Sequence, residues 1–318
     1  MKSLSALLFA CLGAGQVMAA ADLVEGDLPS GAASLHYWVQ GSGAPVVMLS
    51  GGPGFASYLH PVMAELAKSG HQAIMLDQRG TGRSKVTPMD ATTINADLLV
   101  EDLEVLRKHL GLAHWSVLGH SWGGMLAMRY GIAHPDRTDA LLLVGSGPMA
   151  WTQEFQRYFS DNIHSRLLPS DLDSEAYWND PERRKADPER ANLESLRAIL
   201  PGYFYNRKDG LAFHDGLSAP GAKSDAMSRY TMKQVAKQDL TEGMQAFGQP
   251  VLLLMGRQDP VGETTQYRIR DANRGAQLVF IEKSGHFPWI EQPVAFYGAV
   301  NGFLDGSVAN ARKHEQVK

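Results

Sequence analysis

The chain has 318 residues, of which 44% are hydrophobic and 20% charged, with a formal net charge of −4. That length allows one large domain carrying an insertion, or two domains, and the composition is that of a globular chain rather than a disordered or fibrous one. The mild negative balance leaves no basic footprint, so no nucleic-acid partner is expected.

The first twenty or so residues differ from the rest. Lys2 precedes an apolar stretch from Leu4 to Leu12, and the small-residue run VMAAAD follows. This order reads as a secretory signal peptide over 1–21, cleaved after Ala19 or Ala21. The apolar stretch is too short to span a bilayer, so no stable membrane insertion is expected after cleavage. The single cysteine, Cys11, lies inside this segment, and the short apolar run with bulky Phe9 disfavours a lipid anchor there. Cleavage removes one positive charge, Lys2, taking −4 to −5, and leaves no cysteine. Disulfides, thiol catalysis and cysteine-based metal sites are then excluded. The expected location is the periplasm or the cell exterior.

Strand-like runs then alternate with helix-like stretches. Residues 34–41 and 45–52 read as strands, 58–69 as an amphipathic helix and 73–80 as a strand. Residues 95–112 carry apolar residues near a 3.6 spacing and stop at Gly111, a glycine where a helix is expected to end. Residues 115–119 are strand-like, 123–134 helix-like, and 139–147 another buried strand. Short, fully apolar strands alternating with helices indicate a mostly parallel sheet covered on both faces. From Met149 to about 235 the chain is charged, aromatic and helix-like, without buried-strand runs. Strands return at 250–259 and 276–286, followed by a closing helix at 293–305 and a polar tail, 309–318, expected to fray. The predicted division is a leader over 1–21, a core in two parts at 22–148 and 236–308, a helical insertion at 149–235, and the tail.

Within the stretch LGHSWGG, Ser121 stands between Gly119 and Gly123, after a strand and before a helix. This is the G-x-S-x-G nucleophile elbow in the context it requires. The turn is strained, and the positions two before and two after the serine must be small. A serine hydroxyl needs a base, and the base needs an orienting acid. In this elbow architecture they follow in the order serine, acid, histidine. Among eleven histidines, only His286, in EKSGHFPWIEQP, lies just past a late buried strand. Asp259, in LLLMGRQDPV, directly follows the preceding strand and is the expected acid; Asp271, in a surface helix end, is the competitor. An oxyanion hole needs two backbone N–H groups. Trp122, next to the serine, supplies one, and the loop Ser50-Gly51-Gly52-Pro53-Gly54 the other, with Gly52 first and Gly51 second. No Gly-Lys-Ser/Thr follows that loop and no H-E-x-x-H helix appears, so neither phosphate binding, a metal nor a cofactor is expected.

The series SGGPG (50–54), DQRGTGRS (77–84), GHSWGG (119–124), GRQDP (256–260) and SGHFPWIEQP (284–293) resembles the motif series of the α/β-hydrolase superfamily, and more narrowly that of proline iminopeptidase-like serine peptidases. The resemblance covers roughly 33–147 and 236–305. It implies a mostly parallel sheet flanked by helices, with a helical cap inserted after the sixth strand. Carried over, Ser121 is the nucleophile, His286 the base, Asp259 its partner, and Gly52 and Trp122 the oxyanion hole, while Asp77 and Arg79 tie turns beside the site. Two departures stand out. Ser50 replaces the histidine that usually begins the glycine-proline loop. The tryptophan–glutamate pair expected in the cap to hold a substrate amino group is not evident; Trp178 with Glu175 or Asp180, and Glu154, Asp161 and Glu194, are candidates. Seven cap aromatics, Trp151, Phe155, Tyr158, Phe159, Tyr203, Phe204 and Tyr205, offer an apolar pocket. The implied activity is release of an N-terminal residue from short peptides through an acyl-enzyme. The same machinery suits an esterase, lactonase or amide acylase, and a silent binding protein on this fold is the remaining reading. The expected partner is a small-molecule or short-peptide substrate.

Overall fold

The computed structural model describes residues 23–217 and 222–315; the leader expected over 1–21 lies outside the described residues. Among the described residues, one nine-stranded sheet organises the molecule. Its strands are β1 (Val24–Ser30), β2 (Ala33–Gln40), β3 (Ala44–Leu49), β4 (His71–Leu76), β5 (Lys85–Val86), β6 (Trp115–His120), β7 (Thr138–Val144), β8 (Val251–Gly256) and β9 (Gln277–Ile281). They lie in the order β1-β2-β4-β3-β6-β7-β8-β9, with β5 paired to β2. Pairing is antiparallel from β1 through β2 to β4 and parallel from there to β9.

The continuous apolar runs follow from burial on both faces. Val46 and Met48 of β3 join one hydrophobic cluster, while Val47 and Leu49 join the other. Residues alternate sides along a strand, so a strand covered on both faces must be apolar at every position. One face is covered by α1 (His60–Lys68) and the long final helix, and the other by α2 (Ala96–His109) and α3 (Trp122–Ala133). Asn95 caps α2 by accepting the Leu98 N–H, and Gly111 just beyond it sits at φ +68°, the left-handed geometry that ends helices.

Between β7 and the return of the core, the described residues form six α-helices: α4 (Gln153–His164), α5 (Pro169–Asn179), α6 (Pro181–Ala186), α7 (Pro188–Ile199), α8 (Arg207–Leu217) and α9 (Asp225–Val235). The core resumes with α10 (Thr241–Ala246), α11 (Glu263–Ala272), α12 (Pro288–Glu291) and α13 (Pro293–Glu315). The cap therefore follows the seventh strand in chain order, not the sixth. The apolar pattern shows five strands ahead of the insertion and misses both β1 and β5, the latter a two-residue edge strand. The closing helix also runs through the stretch expected to fray, reaching Glu315. No helix among the described residues is long and apolar enough to cross a membrane.

Candidate active site

β6 ends at His120 and α3 begins at Trp122, leaving Ser121 at the junction with φ 57° and ψ −119°. A non-glycine residue pays a conformational cost in that region, and such outliers persist only where the surroundings hold them. Here the Ser121 N–H donates to Val144 O at 3.0 Å, and its carbonyl accepts from Gly124 at 3.0 Å and Gly147 at 3.1 Å. The flanking glycines are obligatory on steric grounds. A Cβ on Gly119 would overlap the carbonyl of Gly123, and one on Gly123 would overlap the carbonyl of Leu49.

His286 and Asp259 are paired. His286 Nδ1 donates to Asp259 Oδ2 at 2.9 Å, and the carboxylate also accepts the Val261 N–H at 2.8 Å. Both side chains are buried. A carboxylate only accepts, so Nδ1 carries the ring proton and Nε2 is left with its lone pair, the arrangement a general base needs. Ser121 and His286 line the same cavity. The close approach needs a glycine at 145: a Cβ there would sit 2.5 Å from Asp259 Oδ2 and 3.0 Å from His286 Nδ1. Asp271, the competing acid, pairs with Arg270 on the exposed end of α11.

The loop after β3 wraps the same cavity. Gly51 N–H is taken by Tyr58 Oη at 2.6 Å, and the next amide belongs to Gly52, a lining residue at φ +124°. Trp122, opening α3, brings a helix N-terminal N–H whose partner lies outside the helix. Gln78 connects the two pieces, accepting from Trp122 Nε1 and donating to Ser50 O, both at 2.9 Å. Ser50, standing where histidine was expected, holds the loop through its hydroxyl, which accepts the Tyr58 N–H at 3.3 Å. Beside it, Asp77 accepts from Ser57 N and Arg83 N at 2.7 Å each, and Arg79 forms a buried two-pronged pair with Asp102.

The cap completes the cavity, about 130 Å³, with Trp151, Phe155, Phe159 and Tyr203. Phe155 and Phe159, i and i+4 on α4, share one face with stacked rings, and Trp151, just ahead of the helix, packs edge-on against Phe155. Tyr158 turns away to Thr265, and neither Phe204 nor Tyr205 lines the cavity. From the core come Phe55, Tyr58, Met125, Val261 and Phe287, which no local pattern singles out.

The cap carboxylates are a correction. Glu154, Glu175 and Trp178 do not line the cavity, and neither do Asp161, Asp180 or Glu194. Glu154 is exposed and faces Arg268 at 3.4 Å. Glu175 pairs with His164 Nε2 at 3.0 Å, and Trp178 lies under the guanidinium of Arg190. Glu154 and Glu175 thus pair with a neighbour on the core surface and in the cap, away from the cavity.

Known proteins share this fold. The model for the alpha/beta hydrolase fold matches residues 44–293. A proline iminopeptidase of Heyndrickxia coagulans is 30% identical over 277 residues, covering 83% of this chain and 92% of the relative. The proline iminopeptidase structure from Mycobacterium smegmatis superposes with a TM-score of 0.67 at 20% identity, covering 91% of this chain and all of the other. An esterase from Exiguobacterium antarcticum superposes with a TM-score of 0.65 at 22% identity, covering 86% and 96%. The chain belongs to the α/β-hydrolase fold family, is related within it to the proline iminopeptidases, and is a serine hydrolase.

Proposed function

We propose that this serine hydrolase cleaves esters or lactones of uncharged, apolar acyl groups. The observation that carries the reading is that, among the described residues, no Asp, Glu, Lys or Arg lines the cavity beside Ser121. A free amino terminus brought there would lose its hydration without gaining a carboxylate, at a cost of several kcal/mol. An apolar acyl group meets aromatic and aliphatic walls instead. Cavities of roughly 150 Å³ hold a benzene-sized group, so short or compact acyl groups suit this one.

In this reading Ser121 Oγ attacks the acyl carbon while its proton passes to His286 Nε2. Asp259 keeps Nδ1–H oriented and stabilises the imidazolium that forms. The oxyanion receives the N–H groups of Gly52 and Trp122. The imidazolium then protonates the departing alkoxide, and water repeats the sequence on the acyl-enzyme.

Aminopeptidase action on short peptides is the second reading, favoured by the proline iminopeptidase relatives. One panel separates the two: nitrophenyl butyrate and dodecanoate, prolyl and alanyl anilides, and N-blocked anilides. Fast butyrate cleavage, slower dodecanoate cleavage and indifference to N-blocking support the ester reading. A strong preference for the free amino terminus would overturn it.

Export belongs to the same proposal. The leader read from the sequence implies that protein recovered outside the cytoplasm has lost its first 19 or 21 residues. An intact mass retaining Met1 in that fraction would refute it.

A further inference from the structure

One buried imidazole beside the nucleophile position has no part in the chemistry above. His120 is 1% exposed, and its ring centroid lies 4.4 Å from that of His286. Nε2 is 2.8 Å from the backbone oxygen of His286, and Nδ1 is 2.6 Å from Tyr58 Oη. Tyr58 Oη in turn receives the Gly51 N–H. The proton positions follow from counting donors. The His286 carbonyl can only accept, so Nε2 carries the proton. In a neutral ring Nδ1 must then accept, so the Tyr58 hydroxyl donates to it and uses a lone pair for Gly51. Burial, and then the neighbouring His286, hold the pKa of His120 well below its usual value, which is consistent with a neutral ring.

The result is one directed chain, Gly51 N–H to Tyr58 Oη–H to His120 Nε2–H to His286 O. It begins in the loop that offers Gly52 and ends on the backbone of the base, passing through the residue before Ser121. We propose that Tyr58 and His120 are positioning residues that fix the oxyanion loop and the base loop relative to one another. Their effect is on turnover more than on substrate binding. Tyr58 commits the Gly51 amide and so aims the next peptide; His120 holds the His286 backbone while Asp259 holds its ring.

The inference rests on Ser121 as nucleophile and His286 as base, and the test separates its failure from theirs. Tyr58→Phe keeps the ring, which stacks on Trp289 and packs edge-on against Phe213 and Phe287, and removes only the hydroxyl. Two readouts are taken: kcat and KM on nitrophenyl butyrate, and the rate at which a fluorophosphonate forms the Ser–O–P bond with loss of fluoride. The second requires an activated serine and oxyanion donors but not a particular substrate class.

Tyr58→Phe should lower kcat and the labelling rate by about ten- to a hundredfold, on the scale of a lost oxyanion-site donor or a small misplacement, with KM within about twofold. His120→Gln retains a donor for the His286 carbonyl, and His120→Asn an acceptor for Tyr58. Both should fall between the parent and His120→Ala. If Tyr58→Phe does not fold, the His120 series carries the test. A folded Tyr58→Phe with kcat and labelling within twofold of the parent would overturn the relay, as would a rise in KM at unchanged kcat. Equal labelling of Ser121→Ala and the parent would instead refute the site assignment.

Discussion

The backbone N–H of His286 donates to the carbonyl of Tyr203, in the cap, at 2.7 Å. The cap is thus bonded to the loop that carries the base, and Glu291 reinforces the contact by accepting from Gly285 N at 2.6 Å and Asn206 N at 2.8 Å. On the other side of the cavity, the cap pairs with the oxyanion loop through Ala56 N to Ala222 O, 2.9 Å, and Ser224 N to Gly54 O, 2.7 Å. The loops that carry the proposed base and the proposed oxyanion donor Gly52 are both braced by the same insertion.

Gly285 is where this bracing is tightest, because a Cβ there would overlap the Tyr203 carbonyl. Gly285→Ala should therefore push the cap off the base loop and displace His286. Turnover should fall about a hundredfold, the scale of an ångström-sized misplacement, and proteolysis between Trp151 and Val235 should accelerate. Steady-state kinetics with limited proteolysis checks both; unchanged kinetics would show that the contact does not position the base.

Asp259→Asn replaces the carboxylate that fixes the His286 tautomer. An amide nitrogen opposite Nδ1 favours the wrong tautomer, and kcat should drop about ten-thousandfold with little change in thermal stability. Asp271→Asn, on the exposed end of α11, should leave kcat unchanged. The reverse result would exchange the two assignments.

Away from the site, Glu104 accepts from Arg107 at 2.7 and 2.8 Å and from Tyr130 Oη at 2.7 Å, and these bonds, Arg107's first, lower its pKa to about 2. A depressed carboxylate pKa contributes stability that is fully present above the unfolded value, near 4.5, and disappears as pH falls toward 2. Glu104→Gln should cost about 2 kcal/mol at pH 7, after allowance for solvent screening. The gap should narrow steadily between pH 4.5 and 2. Denaturant melts across that range check the sign, and a gap that widens on acidification would contradict it.

The sheet and the Ser121 elbow were legible because their causes are local. Strands buried on both faces must be apolar throughout, and a strained serine turn must have Gly119 and Gly123 beside it. Asp259 and His286 were legible because each follows its strand within a few residues. β1 was not, since VEGDLPS carries a proline, a glycine and two carboxylates; it forms as a sheet-edge strand held by antiparallel pairing to β2. The Tyr58–His120 link joins side chains 62 positions apart and has no pattern to announce it. The cap was the hardest part. The sequence offered seven aromatics for an apolar pocket without saying which face inward, and which partner each carboxylate meets depends on how α4, α5 and α7 pack.

The central claim is that His286 and Asp259 activate the hydroxyl of Ser121 for acyl transfer. Its most direct measurement is peptide mapping of fluorophosphonate-treated protein, together with turnover of Ser121→Ala. The label should fall on Ser121 alone, its rate should collapse in His286→Ala, and Ser121→Ala should lose more than about a thousandfold in rate. A label on another residue, or near-parental turnover in Ser121→Ala, would contradict the account.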